Sequence, residues 1–310
     1  MHTPSASVLG LLLPPVSSFD VLREALGVMD ATGFDSVWVP DRTLAGIGPW
    51  PELWTQLGSV AAITRRLTVG TAVVVPSRRH PLHVAHALAS ADLTTGGRLI
   101  AGVGLGGLDP REHQAVGVDV RERAGLTDEY VGLLRRLWRD DAVDFDDARI
   151  SLRGAAIPVR PTRPIPIWIG GGSDAAIKRA ARIGDGWLGA QQGPENYRQS
   201  VERLAECARE HDRSPEQVPA GIYLFGAIDQ NRERAAAKLQ PAMTAMFGAP
   251  LEVLSEACLW GTPSDWCQRI ADYQQAGATK VVVALFTTEL IADVQLLAEE
   301  VLPALPTPPT

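Results

Sequence analysis

The sequence predicts a (β/α)₈ barrel, the TIM-barrel fold, from three observations. Short apolar stretches alternate with stretches of helical period along most of the 310 residues, which is the pattern of a parallel sheet covered by helices. Polar or glycine-rich sequence follows nearly every apolar stretch, as expected for loops around a barrel mouth. A glycine-rich turn of phosphate-binding type falls on the fifth strand, whereas a dinucleotide fold carries its fingerprint on the first.

The eight predicted strands share an almost continuous content of valine, isoleucine and leucine, which is typical of parallel strands buried on both faces. In chain order they are Val8–Leu13, Ser36–Val39, Leu67–Val75, Arg98–Val103, Ile167–Ile169, Gly186–Leu188, Pro219–Ile228 and Lys280–Leu285. A doubly wound sheet would use similar strands, but its ligand loops would gather at one switch point. The spread of polar loops therefore favours the barrel.

Stretches with apolar residues at helical spacing separate the strands. The predicted helices are Phe19–Thr32, Pro51–Thr64, Pro81–Leu93, Ala124–Trp138, Ala175–Ile183, Pro194–His211, Asn231–Met246, Leu251–Leu259 and Glu289–Leu302, and a further helix starts at Thr262-Pro263-Ser264-Asp265. The stretch Arg139–Pro164 lacks this pattern and leaves through a proline-rich segment. We expect it to be an insertion over the barrel mouth, with a hairpin around Val143–Leu152.

Composition excludes several classes of protein. The net charge is −7 and no basic cluster is present, which argues against nucleic acid or an anionic membrane as partner. The apolar run Val8–Leu13 is too short to span a bilayer, so we expect neither a transmembrane helix nor a signal peptide. The three cysteines show no metal or redox spacing, which indicates a cytoplasmic protein.

The stretch after the fifth strand predicts an anion site. Gly170, Gly171 and Gly172 precede Ser173 and Asp174 at the start of a helix. Glycines let the backbone approach a ligand closely, and the first turn of a helix offers unpaired N–H groups with a partial positive charge. An ordinary capped strand-to-helix turn is the alternative, although such a turn rarely needs three consecutive glycines.

Two other patterns in the sequence are similar to known ligand sites. The run Gly102–Gly107 has the glycines of a dinucleotide fingerprint but does not lead directly into a capped helix. We interpret it as a glycine-lined strand end that leaves room for a flat ligand at the mouth. His80, His83 and His86 are spaced by three, but no nearby carboxylate or cysteine completes a metal site, and we predict none.

Asp41 and Arg42 end the second strand, beside the mouth of the predicted barrel. They are positioned either to orient a ligand or to satisfy each other as an ion pair. Three of the eight tryptophans, Trp38, Trp168 and Trp187, lie on or beside predicted strands. Core packing is the default for each, and Trp187 is also a candidate wall for a ring system.

Several segments, in order along the chain, resemble the bacterial luciferase-like flavin and deazaflavin oxidoreductases. They are Gly33–Asp41, Leu67–Pro76, Ala91–Leu99, Gly102–Gly104, Ile167–Ser173 and Gly184–Trp187. The run Leu105–Glu112, with Gly117, is most similar to the actinobacterial branch of coenzyme F420-dependent enzymes. The resemblance covers about Val8 to Leu302.

The resemblance implies one luciferase-like TIM-barrel domain over residues 1–310, with the insertion at about 139–164. Its cofactor ring would lie in the mouth, with Gly170, Gly171, Gly172 and Ser173 holding the cofactor phosphate. A non-proline cis peptide at Ala72–Val73 would back the ring. Asp41 would lie near the polar edge of the ring and Val103 would flank it. Members of the family commonly form homodimers.

The sequence also departs from the family. Deazaflavin dehydrogenases often carry a histidine proton acceptor after the aspartate of strand two, where this chain has Arg42. They carry threonine and glutamate after strand four, where this chain has Val103 and Leu105. Alcohol oxidation by a His/Glu pair is therefore not expected. Asp41 and Arg42 remain the polar candidates for catalysis.

The first hypothesis is hydride transfer between F420 and a small, apolar organic substrate. The second is an FMN-dependent monooxygenase that uses O₂ and reduced flavin from a partner reductase. The third is a cofactor-binding relative without catalysis, suggested by the missing histidine and glutamate. Substrate choice would depend on the insertion and on the loops Thr43–Trp50, Leu105–Gly117 and Gly189–Gly193.

Overall fold

The structure is a computed structural model that describes residues 7–306 except 16–17, 45–49, 108 and 110. Its strands in chain order are β1 (Leu9–Leu12), β2 (Ser36–Val39), β3 (Thr68–Thr71), β4 (Leu99–Val103), β5 (Val143–Asp146), β6 (Ser151–Ala155), β7 (Ile167–Gly170), β8 (Gly186–Ala190), β9 (Ala220–Ile228), β10 (Cys258–Gly261) and β11 (Lys280–Leu285). All but β5, β6 and β10 form a closed parallel barrel, in which β11 pairs with β1 and β8 pairs with β9. The predicted (β/α)₈ barrel is confirmed.

Helices follow most of the barrel strands and cover the outside. They are α1 (Phe19–Ala31), α2 (Leu53–Ile63), α3 (Pro81–Thr95), α4 (Arg111–Gln114), α5 (Arg123–Arg139), α6 (Asp174–Ile183), α7 (Pro194–Glu210), α8 (Arg232–Phe247), α9 (Leu251–Leu254), α10 (Pro263–Gln275) and α11 (Leu290–Leu296). The predicted start at Thr262 is confirmed, because Thr262 and Asp265 form a reciprocal capping box. Within the described residues, no helix has the length and apolar character needed to cross a membrane.

The predicted helix Leu251–Leu259 is wrong beyond its first turn. Helix α9 ends at Leu254, and the chain then forms β10, which lies parallel to the end of β9. Strand β8 pairs with Ala220–Tyr223 of β9, so Phe225–Ile228 remain available to β10. The pairing is long-range, and it overrides a local sequence that suits a helix.

The predicted hairpin is present, with β5 antiparallel to β6, but the insertion does not cover the mouth. Its tip lies along α5, where Arg149 pairs with Glu122. Its exit lies at the opposite end of the barrel, where Arg163 approaches Asp92 at 3.8 Å, close to the start of β4. Because the insertion joins the end of α5 to the start of β7, the topology keeps it away from the strands' carboxyl ends.

Two tryptophans fill the closed end of the barrel interior. The rings of Trp38 and Trp168 are buried with centroids 6.3 Å apart. Glycines opposite them supply the space: a Cβ on Gly70 would lie 2.2 Å from the Trp38 ring, and one on Gly186 would lie 2.4 Å from the Trp168 ring. A large side chain on one strand thus faces a glycine on the neighbouring strand. Core packing is confirmed for both tryptophans.

This match predicts that Gly70→Ala destabilises the protein. The added methyl group has no room beside Trp38, and overpacking a closed core costs about 1–3 kcal/mol. Gly27→Ala is the control, because Gly27 lies within α1 with nothing within 4 Å of the new Cβ, and helix propensity then favours alanine by roughly 0.5–1 kcal/mol. Urea denaturation should separate the two variants; equal midpoints would contradict the packing argument.

Candidate active site

The carboxyl ends of the parallel strands meet at one end of the barrel, where the predicted site residues lie. Asp41 follows β2, and its side chain is fully buried. Its two carboxylate oxygens accept hydrogen bonds from Arg79 at 2.5 and 2.7 Å, and Oδ2 also accepts from the Val75 N–H at 3.0 Å. Arg78 adds a contact at 3.3 Å. The alternative that Asp41 pairs with Arg42 is therefore wrong, since Asp41 pairs with the arginines after β3.

Glu112 of α4 completes this buried ionic cluster, which we call the mouth cluster (Asp41, Arg78, Arg79 and Glu112). Glu112 pairs with Arg78, and its Oε1 accepts from the backbone N–H of Thr43 at 2.8 Å. Burial alone would raise the pKa of the Glu112 carboxyl, but these N–H groups and the Arg78 guanidinium bring it below its ordinary value. The cluster joins the segments that follow β2, β3 and β4.

Arg42 lies between two anchored neighbours. The Asp41 side chain is held by Arg79, and the Thr43 N–H is held by Glu112. Arg42 itself is half-buried, and within the described residues it forms no hydrogen bond or ion pair. Its charge nevertheless acts on Tyr223, whose pKa is raised by burial and partly lowered again by Arg42. The cation therefore lies within electrostatic reach of a phenol on β9.

The peptide bond between Ala72 and Val73 is cis, as the family resemblance implied. Both residues are partly exposed. A Cβ on Gly104 or Gly170 would lie 2.4 or 2.7 Å from a Val73 methyl group, so these glycines make room for Val73. Strand β3 ends at Thr71 rather than continuing to Val75, and a single parallel bridge from Val74 to Val103 follows it.

The side chain of Val103, which the family resemblance placed beside the cofactor ring, does not face the mouth. It is completely buried and belongs to the cluster between barrel and helices. Side chains alternate along a strand, and Ile100 on β4 belongs to the interior cluster, so Val103, three residues on, points to the other side. The alternation was readable in the sequence and should have placed Val103 outside.

The glycine turn after β7 forms a cradle of backbone donors. Ser173 caps α6, its hydroxyl accepting from the Ala176 N–H at 3.3 Å. The N–H groups of Gly172, Ser173, Asp174 and Ala175 donate to no acceptor within the described residues. Gly171 has a φ of +134°, which favours glycine. These donors fit an anion such as a phosphate.

The cradle is supported from behind and open on one side. Trp187 is fully buried, donates from Nε1 to the Gly171 carbonyl at 2.8 Å and stacks on Tyr197 at 5.6 Å. It therefore supports the turn and is not the wall of a ring system. A cavity of about 500 Å³ lies on the open side. Polar side chains that line it include Gln191, Gln192, Asn196 and Arg203.

Aromatic rings extend the interior core towards the mouth. Phe225 is their centre, with ring centroids 5.5 Å from Tyr223 and 5.7 Å from both Phe247 and Phe286. Trp50 and Trp260 pack against the same interior cluster. Helix α8 and strand β10 add Met243 and Cys258, whose sulfur atoms lie 3.7 Å apart. The side of the mouth opposite the mouth cluster is thus apolar.

Some of the predicted features fall outside the described residues or form no site. Residues 45–49 of the loop Thr43–Trp50, and Leu108 and Pro110 of the run Leu105–Glu112, lie outside them. His80 caps α3 through Nδ1 and packs edge-on against His83 at 5.6 Å. Among the described residues, no group of three metal-ligating side chains comes together.

Comparison with known proteins agrees with this architecture. The sequence model described as luciferase-like monooxygenase matches residues 5–248. The chain belongs to this luciferase-like family. It is 31% identical over 257 residues to an F420-dependent glucose-6-phosphate dehydrogenase of Amycolatopsis mediterranei, covering 78% of this chain and 74% of that one.

Two solved structures share the fold of this luciferase-like protein. One is an F420-dependent secondary alcohol dehydrogenase in complex with an F420-acetone adduct, at a TM-score of 0.82 and 21% identity, covering 97% of this chain and 99% of that one. The other is monooxygenase RslO1 from Streptomyces bottropensis, at a TM-score of 0.82 and 22% sequence identity, covering 95% of this chain and 98% of that one. At these identities the likeness concerns the fold.

The mouth cluster predicts that Glu112→Gln lowers stability in a pH-dependent way. Removing the Glu112 charge leaves Arg78 and Arg79 with the single buried carboxylate of Asp41, and breaking a buried pair costs about 3 kcal/mol near neutral pH. Because the folded pKa of Glu112 is lowered, its stabilising contribution is present above the ordinary value of 4.5 and disappears as the pH falls through the folded value. Urea midpoints of wild type and variant should therefore converge in acid.

The control for this prediction is Glu122→Gln. Glu122 forms an ion pair with Arg149, but its side chain is 53% exposed, and exposed pairs contribute about 0–1 kcal/mol. If both variants lose the same stability at neutral pH, the burial of the mouth cluster does not determine its energy.

Proposed function

We propose that this protein is an oxidoreductase that transfers hydride between coenzyme F420 and a small, apolar organic substrate. The observation that carries the proposal is the arrangement around Val73. This residue belongs to the partly exposed cis bulge at the mouth and contacts Gly170, from which the donor cradle at Gly172 and Ser173 continues. The names of the curated relatives support F420 as the cofactor.

The described residues fit such a cofactor. Four unpaired N–H groups would hold its phosphate. A Cβ on Gly172 would lie 2.8 Å from the Ala190 carbonyl oxygen, so the turn would have to shift to accept any other residue there. Ala72 and Val73 would support the face of the ring. The mouth cluster would fix the loops around it, with Asp41 as an anchor. When bound, the cofactor supplies the hydride chemistry, and the protein supplies orientation and a dry pocket.

An apolar substrate is supported by the lining of the mouth. Its described wall consists largely of the aromatic rings around Phe225. A sugar phosphate, as named for the relatives, would call for unpaired cations to neutralise its dianion. Arg78 and Arg79 are already paired in the mouth cluster, and Arg232 pairs with Asp265 at 2.5 Å. Of these three arginines and Arg42, only Arg42 lacks an ion pair within the described residues, and one cation does not neutralise a dianion.

The alternative is an FMN-dependent monooxygenase. The family description and the structural likeness to a monooxygenase favour it, and a phosphate cradle serves FMN as well as F420. It would require O₂ and a partner reductase. The two proposals differ in the cofactor that the purified protein binds.

Binding of F420 and FMN, measured side by side by fluorescence, tests the proposal. We expect a micromolar or tighter complex with F420 and none with FMN. In Gly172→Ala the new Cβ disturbs charge-assisted hydrogen bonds worth about 1.5–3 kcal/mol each, which weakens F420 binding about 10- to 100-fold. Gly132→Ala, on α5 with nothing within 4 Å of its new Cβ, is the control. Tight binding of FMN alone would favour the monooxygenase.

The substrate class is tested with Phe247→Ala. The Phe247 ring is 39% exposed beside Phe225, so truncation should remove apolar contact at little cost to the fold. Loss of one aromatic contact is worth about 1.5–3 kcal/mol, and the KM of apolar ketones or enones should rise about tenfold. Leu93→Ala, at a 61% exposed leucine of α3, is the control. Efficient turnover of glucose 6-phosphate instead would refute the apolar substrate.

A further inference from the structure

We propose that Arg42 and Tyr223 together bind the carbonyl oxygen of the substrate and stabilise the negative charge it gains on reduction. The pair would make the protein a carbonyl or enone reductase in the direction from reduced F420 to substrate. The inference deepens the proposed function and depends on it. It replaces the sequence-based interpretation in which Asp41 shares the catalytic role with Arg42. Both carboxylate oxygens of Asp41 already accept hydrogen bonds from Arg79 in the mouth cluster.

Arg42 has a fixed backbone and a side chain that is free of ion pairs within the described residues, as expected of a cation that binds a ligand. Its backbone is fixed on both sides, through Asp41 by Arg79 and through Thr43 by Glu112. It is half-buried and forms no ion pair within the described residues, unlike Arg78 and Arg79. Arg42 acts electrostatically on the Asp109 carboxylate but forms no ion pair with it. Partial burial of a charge without a hydrogen-bonded partner is unfavourable, and a substrate oxygen with developing negative charge would relieve that cost.

Tyr223 provides a hydroxyl group on the interior side of β9. Side chains on one face alternate along the strand, and its neighbours on that face are Gly221, whose Cβ would meet Trp168 at 2.9 Å, and Phe225. Tyr223 is partly exposed, and its hydroxyl forms no hydrogen bond within the described residues. Arg42 is the charged group that acts on this phenol.

The chemistry of the two side chains sets the direction. An arginine side chain stays protonated and cannot accept a proton, and burial raises the pKa of Tyr223, so both groups are donors near neutral pH. The substrate carbon would gain a hydride, which F420 would supply when bound in its reduced form, being oxidised in the process. The carbonyl π electrons move to the oxygen, which takes the Tyr223 proton, and the phenolate regains a proton from water.

The carbonyl stretching frequency of bound 2-cyclohexenone, labelled with ¹³C at the carbonyl, tests the proposal without turnover. The probe is added to the complex with oxidised F420, which holds no hydride to transfer. Donors at the oxygen lower the frequency, and we expect a shift to lower wavenumber in the wild type. Arg42→Met and Tyr223→Phe should each reduce it. Arg121→Met, at an 86% exposed side chain, and Tyr130→Phe on α5 should retain it.

Activity provides the second measurement. Loss of one oxyanion donor lowers kcat about 100-fold or more, so both variants should reduce the enone correspondingly more slowly with reduced F420. Their Kd for F420 should remain that of the wild type. No frequency shift in the wild type, or full shift and activity in both variants, overturns the role of the pair. Absence of F420 binding to the wild type instead overturns the proposed function.

Discussion

The mouth of the barrel depends on one buried ionic constraint, the mouth cluster. Asp41, Arg78 and Glu112 have nearly no exposed side-chain surface, so each charge would be costly without its partners. Pairing them fixes three consecutive loops of the barrel relative to one another. The cis bulge and Arg42 lie within the segments that the cluster joins, and the shape of the site follows from the need to neutralise these charges.

The barrel separates a filled end from an open one. Trp38 and Trp168 occupy the closed end because glycines on neighbouring strands leave room for them. Towards the mouth the interior side chains become partly exposed, as at Ala72 and Tyr223, while α8 and β10 extend the apolar core beyond the end of β8. Packing therefore supplies stability at one end and a shaped apolar surface at the other.

The fold was largely predictable from the sequence, because strand and helix periods are local. Ser36–Val39 and Lys280–Leu285 have the predicted bounds, and the glycine turn at Gly170–Ser173 lies at the helix start where it was expected. The mouth cluster was not predictable from spacing, since Arg79 lies 38 residues from Asp41 and Glu112 lies 34 residues from Arg78. Strand β10 was not predicted for a similar reason. It forms by pairing with an edge of β9 that is distant in the sequence.

The support behind the donor cradle has a thermodynamic consequence. The Gly171 carbonyl accepts from Trp187, and the Gly172 carbonyl accepts from Gln192 at 3.1 Å. The turn is thereby held in shape by its own protein before any anion arrives. The turn therefore loses little conformational entropy when the anion binds. A larger share of the attraction between the backbone N–H groups and the anion then contributes to the binding free energy. Preorganisation of this kind lets a neutral turn compete with lysine or arginine side chains for a dianion.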